Sequence, residues 1–177
     1  MSMMWIQGEE KMIEENKLVK YYSEIAEKLD EMIPCEWEKV YLYAEETGDV
    51  STGSFYFYTS DSKVHWSEEI PKEFEIDRAE FREIQMGLWQ VNERLWLEFQ
   101  NQDEPTWYAY IFELDSEWKF NIRYLYDKDD RLTSTQRRIR WAYEELNIIP
   151  NGGYGRKLLK EYLVEQGKEL PDEIKDI

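Results

Sequence analysis

WEKVYLYAEETGDVSTGSFYFYT, residues 37–59, is the stretch from which the rest of the chain can be laid out. It reads as two strands joined by a polar turn. Val40, Leu42 and Ala44 alternate with Tyr41, Tyr43 and Glu45, and Phe55, Phe57 and Thr59 alternate with Ser54, Tyr56 and Tyr58. Successive strand side chains face opposite sides, so each strand has one aliphatic or Phe face and one Tyr face. The first face needs a helix over it. The second carries Tyr41, Tyr43, Tyr56 and Tyr58 if the register pairs them, and it suits a half-wet surface. Glu45, Glu46 and Asp49 sit in or beside the turn, so this aromatic surface is bordered by acid. Cross-strand packing alone also produces such a Tyr face.

Before this hairpin, Leu18, Tyr22, Ile25, Leu29 and Met32 recur at helical spacing with Glu, Lys and Asp between them, one apolar stripe on a helix that Pro34 stops. Residues 1–15 read as a loose extension. After the hairpin, Lys63–Ser67 suits a short third strand. Asp77, with Glu80 three residues on, caps a long helix whose stripe is Phe81, Ile84, Leu88, Val91, Leu95 and Phe99. Trp89 and Trp96 lie off that stripe and point to a second contact, with the first helix or with a partner. Thr106–Leu114 and Lys119–Tyr126 form a second Tyr-rich hairpin. Ser134 suits the N-cap of a further helix, a last helix carries Leu158, Leu159, Tyr162 and Leu163, and residues 168–177 read as a frayed acidic tail.

The order α-β-β-β-α-β-β-α-α fits a single α+β domain over residues 1–177: an antiparallel-dominated sheet packed on one face by helices. If the third and fourth strands run parallel, the crossover between them is right-handed. That topology puts the turns at Glu46–Ser51 and Asp115–Glu117 at one end of the sheet and the loop Asp127–Asp130 at the other.

The chain has 177 residues, 42% hydrophobic and 16% aromatic, enough for one core, and a formal net charge of −17. Such a charge repels nucleic acid and anionic membranes, so no direct nucleic acid and no membrane are expected. It suits a protein partner with a basic surface, but charge alone favours the plainer reading that the acidity keeps the chain soluble. Cys35 is the only cysteine, which makes an intramolecular disulfide impossible. The first residues lack the basic start of a signal peptide, no run approaches the roughly 20 apolar residues of a membrane helix, and a cytoplasmic location follows as the expectation.

Catalytic constellations are weak. One Cys and one His do not make a structural zinc site, no cofactor motif stands out, and no catalytic residue is assigned. Asn151-Gly152-Gly153-Tyr154-Gly155-Arg156-Lys157 lacks the ending of a phosphate loop. Asp127, Asp129 and Asp130 carry oxygen ligands suited to Ca²⁺ or Mg²⁺, but the loop lacks the glycine and distal glutamate of an EF-hand. A divalent-metal-binding module or metal-dependent enzyme using the Asp127–Asp130 loop is the alternative reading. The favoured one is partner binding through Tyr41, Tyr43, Glu45, Glu46, Asp49, Tyr56, Tyr58, Asp127, Asp129 and Asp130. Tyr supplies rigid contact area, and acid steers a basic partner.

Four blocks in order carry a family resemblance. They are Ile33 through Glu45, Gly53 through Tyr58, Trp107–Phe112 with Leu114-Asp115-Ser116 and Lys119-Phe120, and Arg138 through Tyr143 with Leu146 and Ile148-Ile149-Pro150. Together they resemble the YezG-like immunity proteins over roughly residues 17–163. The resemblance implies an antitoxin without catalysis of its own, which binds the nuclease domain of a secreted, often LXG-type, toxin. The contact residues named above come from the physical reading alone.

Overall fold

An apolar helix stripe has to be covered, and the sheet covers two of them. The computed structural model describes residues 15–177, which group into two compact units, one ending at Asp127 and one spanning Lys128–Ile177. The expected N-terminal extension lies, up to residue 14, outside the described residues. In the first unit α1 (Glu15–Met32) and α3 (Arg78–Asn101) pack against five strands: β1 (Lys39–Glu46), β2 (Ser51–Tyr58), β3 (Val64–Trp66), β4 (Ala109–Asp115) and β5 (Phe120–Leu125). A 3-10 turn, Ser67–Glu69, and the short α2 (Ile70–Glu73) connect β3 to α3. Leu18, Tyr22, Ile25, Leu29 and Met32 of α1 share one core with Phe81, Leu88, Val91, Leu95 and Phe99 of α3 and with Val40, Leu42, Phe55, Phe57 and Phe112 of the sheet. Burying each Leu, Ile or Phe contributes roughly 1.5–3 kcal/mol. Asp77 caps α3, accepting from the backbone N–H of Ala79 and Glu80.

The sheet order is β3-β2-β1-β4-β5, and every neighbouring pair is antiparallel. β3 therefore runs opposite to β4, and the parallel crossover does not form. α3 instead carries the chain from the β3 edge to the far side of β1. This pairing also corrects the placement of the turns. Lys39 lies opposite Asp115 while Glu45 lies opposite Ala109, so the β4–β5 turn is at the other end of the sheet from the β1–β2 turn. Leu125 pairs with Ala109, so the chain leaves β5 toward Asp127 at the same end as Glu46–Ser51. β1 has eight residues, and at roughly 3.3 Å per residue its ends are about 23 Å apart.

Trp89 and Trp96 both pack against the core that α1, α3 and the sheet share, and α3 also meets the β1–β2 turn and the residues before β4 here. The indole of Trp96 donates to the carbonyl of Trp107 at 3.1 Å, and the carbonyl of Trp89 accepts from Ser51 Oγ at 3.4 Å. Gly48 lies against the Trp96 ring with φ of +90°, which glycine adopts without strain.

In the second unit, α4 (Ser134–Leu146), α5 (Gly153–Glu165) and α6 (Asp172–Lys175) enclose Ile139, Leu159, Leu163 and Ile174. The N-cap of α4 is Thr133, one residue before the expected Ser134, because Gln136 completes a capping box with it. The tail expected to fray is held: Ile174 is fully buried, and Lys160 Nζ donates to the carbonyls of Lys175 at 2.8 Å and Ile177 at 2.6 Å. Among the described residues no helix is long and apolar enough to cross a membrane.

A Cβ added at Gly48 would lie 2.8 Å from two ring carbons of Trp96, at a backbone angle that strains any other residue. Gly48→Ala is expected to cost roughly 1–3 kcal/mol, read as a lower midpoint in thermal or urea denaturation.

Candidate partner-binding surface

The acidic end of the sheet turns inward. Tyr43 and Glu45 are both buried, and the Tyr43 hydroxyl donates to Glu45 Oε2 at 2.6 Å. Glu46, 2% exposed, closes its own turn: Oε1 accepts the Gly48 N–H at 2.8 Å, and Oε2 accepts the Ser51 hydroxyl. Thr47 N–H donates to the Val50 carbonyl at 3.1 Å. Of the three acids expected to border the aromatic face, only Asp49 is exposed.

The Tyr face divides in the same way. Tyr56 is 5% exposed and Tyr43 2%. Tyr41 and Tyr58 remain partly exposed and meet edge to face with ring centroids 5.8 Å apart. Burial, and then the neighbouring Tyr41, push the Tyr58 phenol above its ordinary pKa. This pair lies toward the Lys39 end of β1, since Lys39 pairs with Tyr58, and so away from the acidic turn.

At that Lys39 end the structure adds a pair of residues that the periodicity arguments did not single out. Trp37 and Trp118 approach edge to face at 6.5 Å. They line a shallow groove of about 630 Å³ with Ile33, Pro34, Asp30 and Glu36. Trp37 is anchored, its indole donating to Asp30 Oδ1 at 3.0 Å. Trp118 is 48% exposed and holds a left-handed backbone with φ of +63°. Asp115 builds the turn beneath it, Oδ1 accepting the N–H groups of Glu117 at 2.9 Å and Lys119 at 3.0 Å. The Ser116 N–H donates to the Glu38 carbonyl at 3.0 Å, which fixes the turn to the segment carrying Trp37. Left-handed backbone costs a residue other than glycine roughly 1–2 kcal/mol, and a three-residue hairpin loop usually places Gly there. The clue in the sequence was a hairpin turn, Asp115-Ser116-Glu117-Trp118, with no glycine in it.

The remaining expected acids lie where β5 ends and in the second unit. Asp127 is exposed. Asp129 makes a two-pronged contact with Arg131, 3.0 Å to Nε and 2.9 Å to Nη2. Hydrogen bonds from that guanidinium and from the Arg131 backbone hold its carboxyl down at about 2. Asp130 faces Lys128 at 3.6 Å. Among the described residues no three His, Cys, Asp or Glu side chains converge so as to hold a metal ion, and Asp129 is already committed to Arg131.

His65, the only histidine, is buried and stacks on Phe57 at 4.7 Å. Its Nδ1 meets Glu73 Oε1 at 2.8 Å and its Nε2 meets Thr59 Oγ1 at 3.2 Å. The arrangement has the order of a hydroxyl, imidazole and carboxylate relay. However, the Thr59 hydroxyl donates to Asp61 at 2.5 Å, and these bonds tie β3 and α2 to β2. Burial alone would raise the Glu73 carboxyl, but hydrogen bonds from His65 and Lys63 outweigh it and hold it below the ordinary range.

A family model described as "Immunity protein YezG-like" matches residues 18–160. "Immunity protein YezG" of Bacillus spizizenii is 32% identical over 156 residues, covering 86% of this chain and 97% of its own. "Immunity protein YezG" of Bacillus subtilis is 30% identical over 145 residues, covering 80% of this chain and 96% of its own. "Type VII secretion system protein EsaG" of Staphylococcus aureus is 30% identical over 170 residues, covering 92% of this chain and 97% of its own.

Because Glu46 holds its own turn while Asp49 is exposed, reversing their charges should act differently. Glu46→Lys is expected to lower the denaturation midpoint by the roughly 1–3 kcal/mol of a lost buried acceptor, and Asp49→Lys to leave it unchanged. The lowered Glu73 carboxyl contributes stability above the ordinary glutamate range and loses it as pH falls through the folded value. Glu73→Gln should therefore be less stable than the native chain at pH 7, with the gap between their melting temperatures closing toward pH 3.

Proposed function

The chain belongs to the YezG-like immunity protein family, and from that membership we propose that it binds and neutralises a cognate secreted nuclease toxin in the cytoplasm. It does so without catalysis, laying acidic and aromatic residues over the basic cleft in which the toxin would hold nucleic acid. Family membership is the observation that carries the antitoxin role. The net charge of −17 supports a basic target, because a nuclease must present cations to phosphates and an acidic protein is steered to the same cations. The name of the staphylococcal relative, a type VII secretion system protein, supports a secreted toxin as the source.

In this proposal Tyr41 and Tyr58, partly exposed on the sheet, make contact, and Asp49, Asp127, Asp129 and Asp130 supply steering charge. Tyr43, Glu45, Glu46 and Tyr56 are buried and hold the strands and the turn that carry Tyr41, Tyr58 and Asp49.

Mixing the chain with the nuclease domain encoded beside its gene tests the proposal. DNA should survive once the two are equimolar. Raising salt from about 0.05 M to about 0.5 M should weaken the complex at least tenfold, since screening acts on exposed charge. Degradation that continues unchanged with the chain in excess would refute it.

A further inference from the structure

We propose that the groove between Trp37 and Trp118 seats an arginine-bearing extended segment of a basic protein partner. The proposal rests on the antitoxin reading for the identity of that partner and on the geometry of the first unit for the site. Trp118 is the half-exposed wall of the groove, and Trp37, fixed by Asp30, is the other. Ile33 and Pro34 add apolar surface to the lining, and Asp30 and Glu36 add carboxylates. An indole face with carboxylates beside it suits a planar guanidinium. The cation stacks on the ring, is only weakly hydrated, and directs its donors sideways to the acids.

Charge selects the occupant. Glu117, next to Trp118 in the chain, is paired with Lys119, whereas Glu36, which lines the groove with Asp30 and no cation, forms no ion pair among the described residues. The groove therefore keeps net negative charge beside two large aromatic rings. Nucleic acid is repelled by the same charge.

The backbone supplies an independent argument. A bulky residue at φ of +63° is an outlier, and such strain, where it is observed, is a pointer to function. Glycine would fit this turn without strain and tryptophan does not. The turn is held rigidly to Glu38, so Trp118 is presented in advance of binding, which lowers the ordering cost that a flexible side chain would incur.

The variant that separates function from structure is Trp118→Gly. A packing role would make it less stable than the native chain. A docking role leaves its melting temperature equal or higher while binding falls. Titrating the full chain at low salt with a blocked tetra-arginine peptide, followed through the indole N–H resonances, should shift the Trp37 and Trp118 signals. Affinity should fall at least tenfold in Trp118→Gly and several-fold in Glu36→Gln, and a tetra-glutamate peptide should leave the signals in place. Against the toxin's nuclease domain, Trp118→Gly should need at least tenfold more protein for the same protection of DNA.

If the native chain protects DNA and Trp118→Gly protects it equally well, the docking site is overturned and the antitoxin reading stands. If the native chain does not protect DNA, the antitoxin reading falls, and the peptide titration alone decides the groove: unshifted indole signals overturn it. Sedimentation showing a dimer that Trp118→Gly abolishes would make a second copy the occupant and would also overturn it.

Discussion

Strand β1 is hydrogen-bonded on both sides, to β2 and to β4, and both pairings are antiparallel. Almost everything else in the first unit follows from that double constraint. It buries Val40, Leu42 and Ala44 completely and aligns them with Phe55, Phe57, Phe112 and Leu114 on one face, so α1 and α3 have a continuous apolar surface to cover. It also sends the two hairpin turns to opposite ends of the sheet. One end closes on Glu46, Gly48 and Trp96, and the other opens on Trp37 and Trp118. A one-residue slip of β1 would move Tyr41, Tyr43 and Glu45 into the core, a cost no loop could offset.

The two ends differ in how they use acid. At the β1–β2 turn the carboxylates of Glu45 and Glu46 are committed to Tyr43, Gly48 and Ser51. At the other end Glu36 and Glu38 stand exposed beside half-covered indoles. The ends are about 23 Å apart along β1, well beyond the roughly 8 Å over which charges act at physiological salt. They cannot serve one small contact together. Exposed acid elsewhere on the chain acts at longer range, raising the rate of encounter with a basic partner rather than fixing the final fit.

The elements themselves were legible because their periodicities are strong. The stripes of α1 and α3, the alternation in β1 and β2 and the cap at Asp77 need only local spacing to be read. Strand order was not legible. Nothing in residues 106–126 says whether β4 adds beside β1 or beside β3, and that choice decides which turn lies where. Counting carboxylates near a turn also misled, since Glu46 is acidic yet serves as an internal acceptor, a fact visible only once Gly48 and Ser51 fold against it. Ile174 looked like part of a polar tail because a single apolar residue carries no periodicity, and its burial depends on Leu159 and Leu163 arriving from α5. The Trp118 turn left a trace, a hairpin without glycine, whose meaning appears only when Trp37 is found beside it.

The central claim is that the chain meets its partner with the Trp37 and Trp118 end of the sheet. Hydrogen–deuterium exchange of the chain with and without the toxin's nuclease domain tests it most directly. The claim requires new protection over residues 33–38 and 115–119, with residues 46–51 unchanged. Protection confined to residues 46–51, with the tryptophan end exchanging as in the free chain, would contradict it.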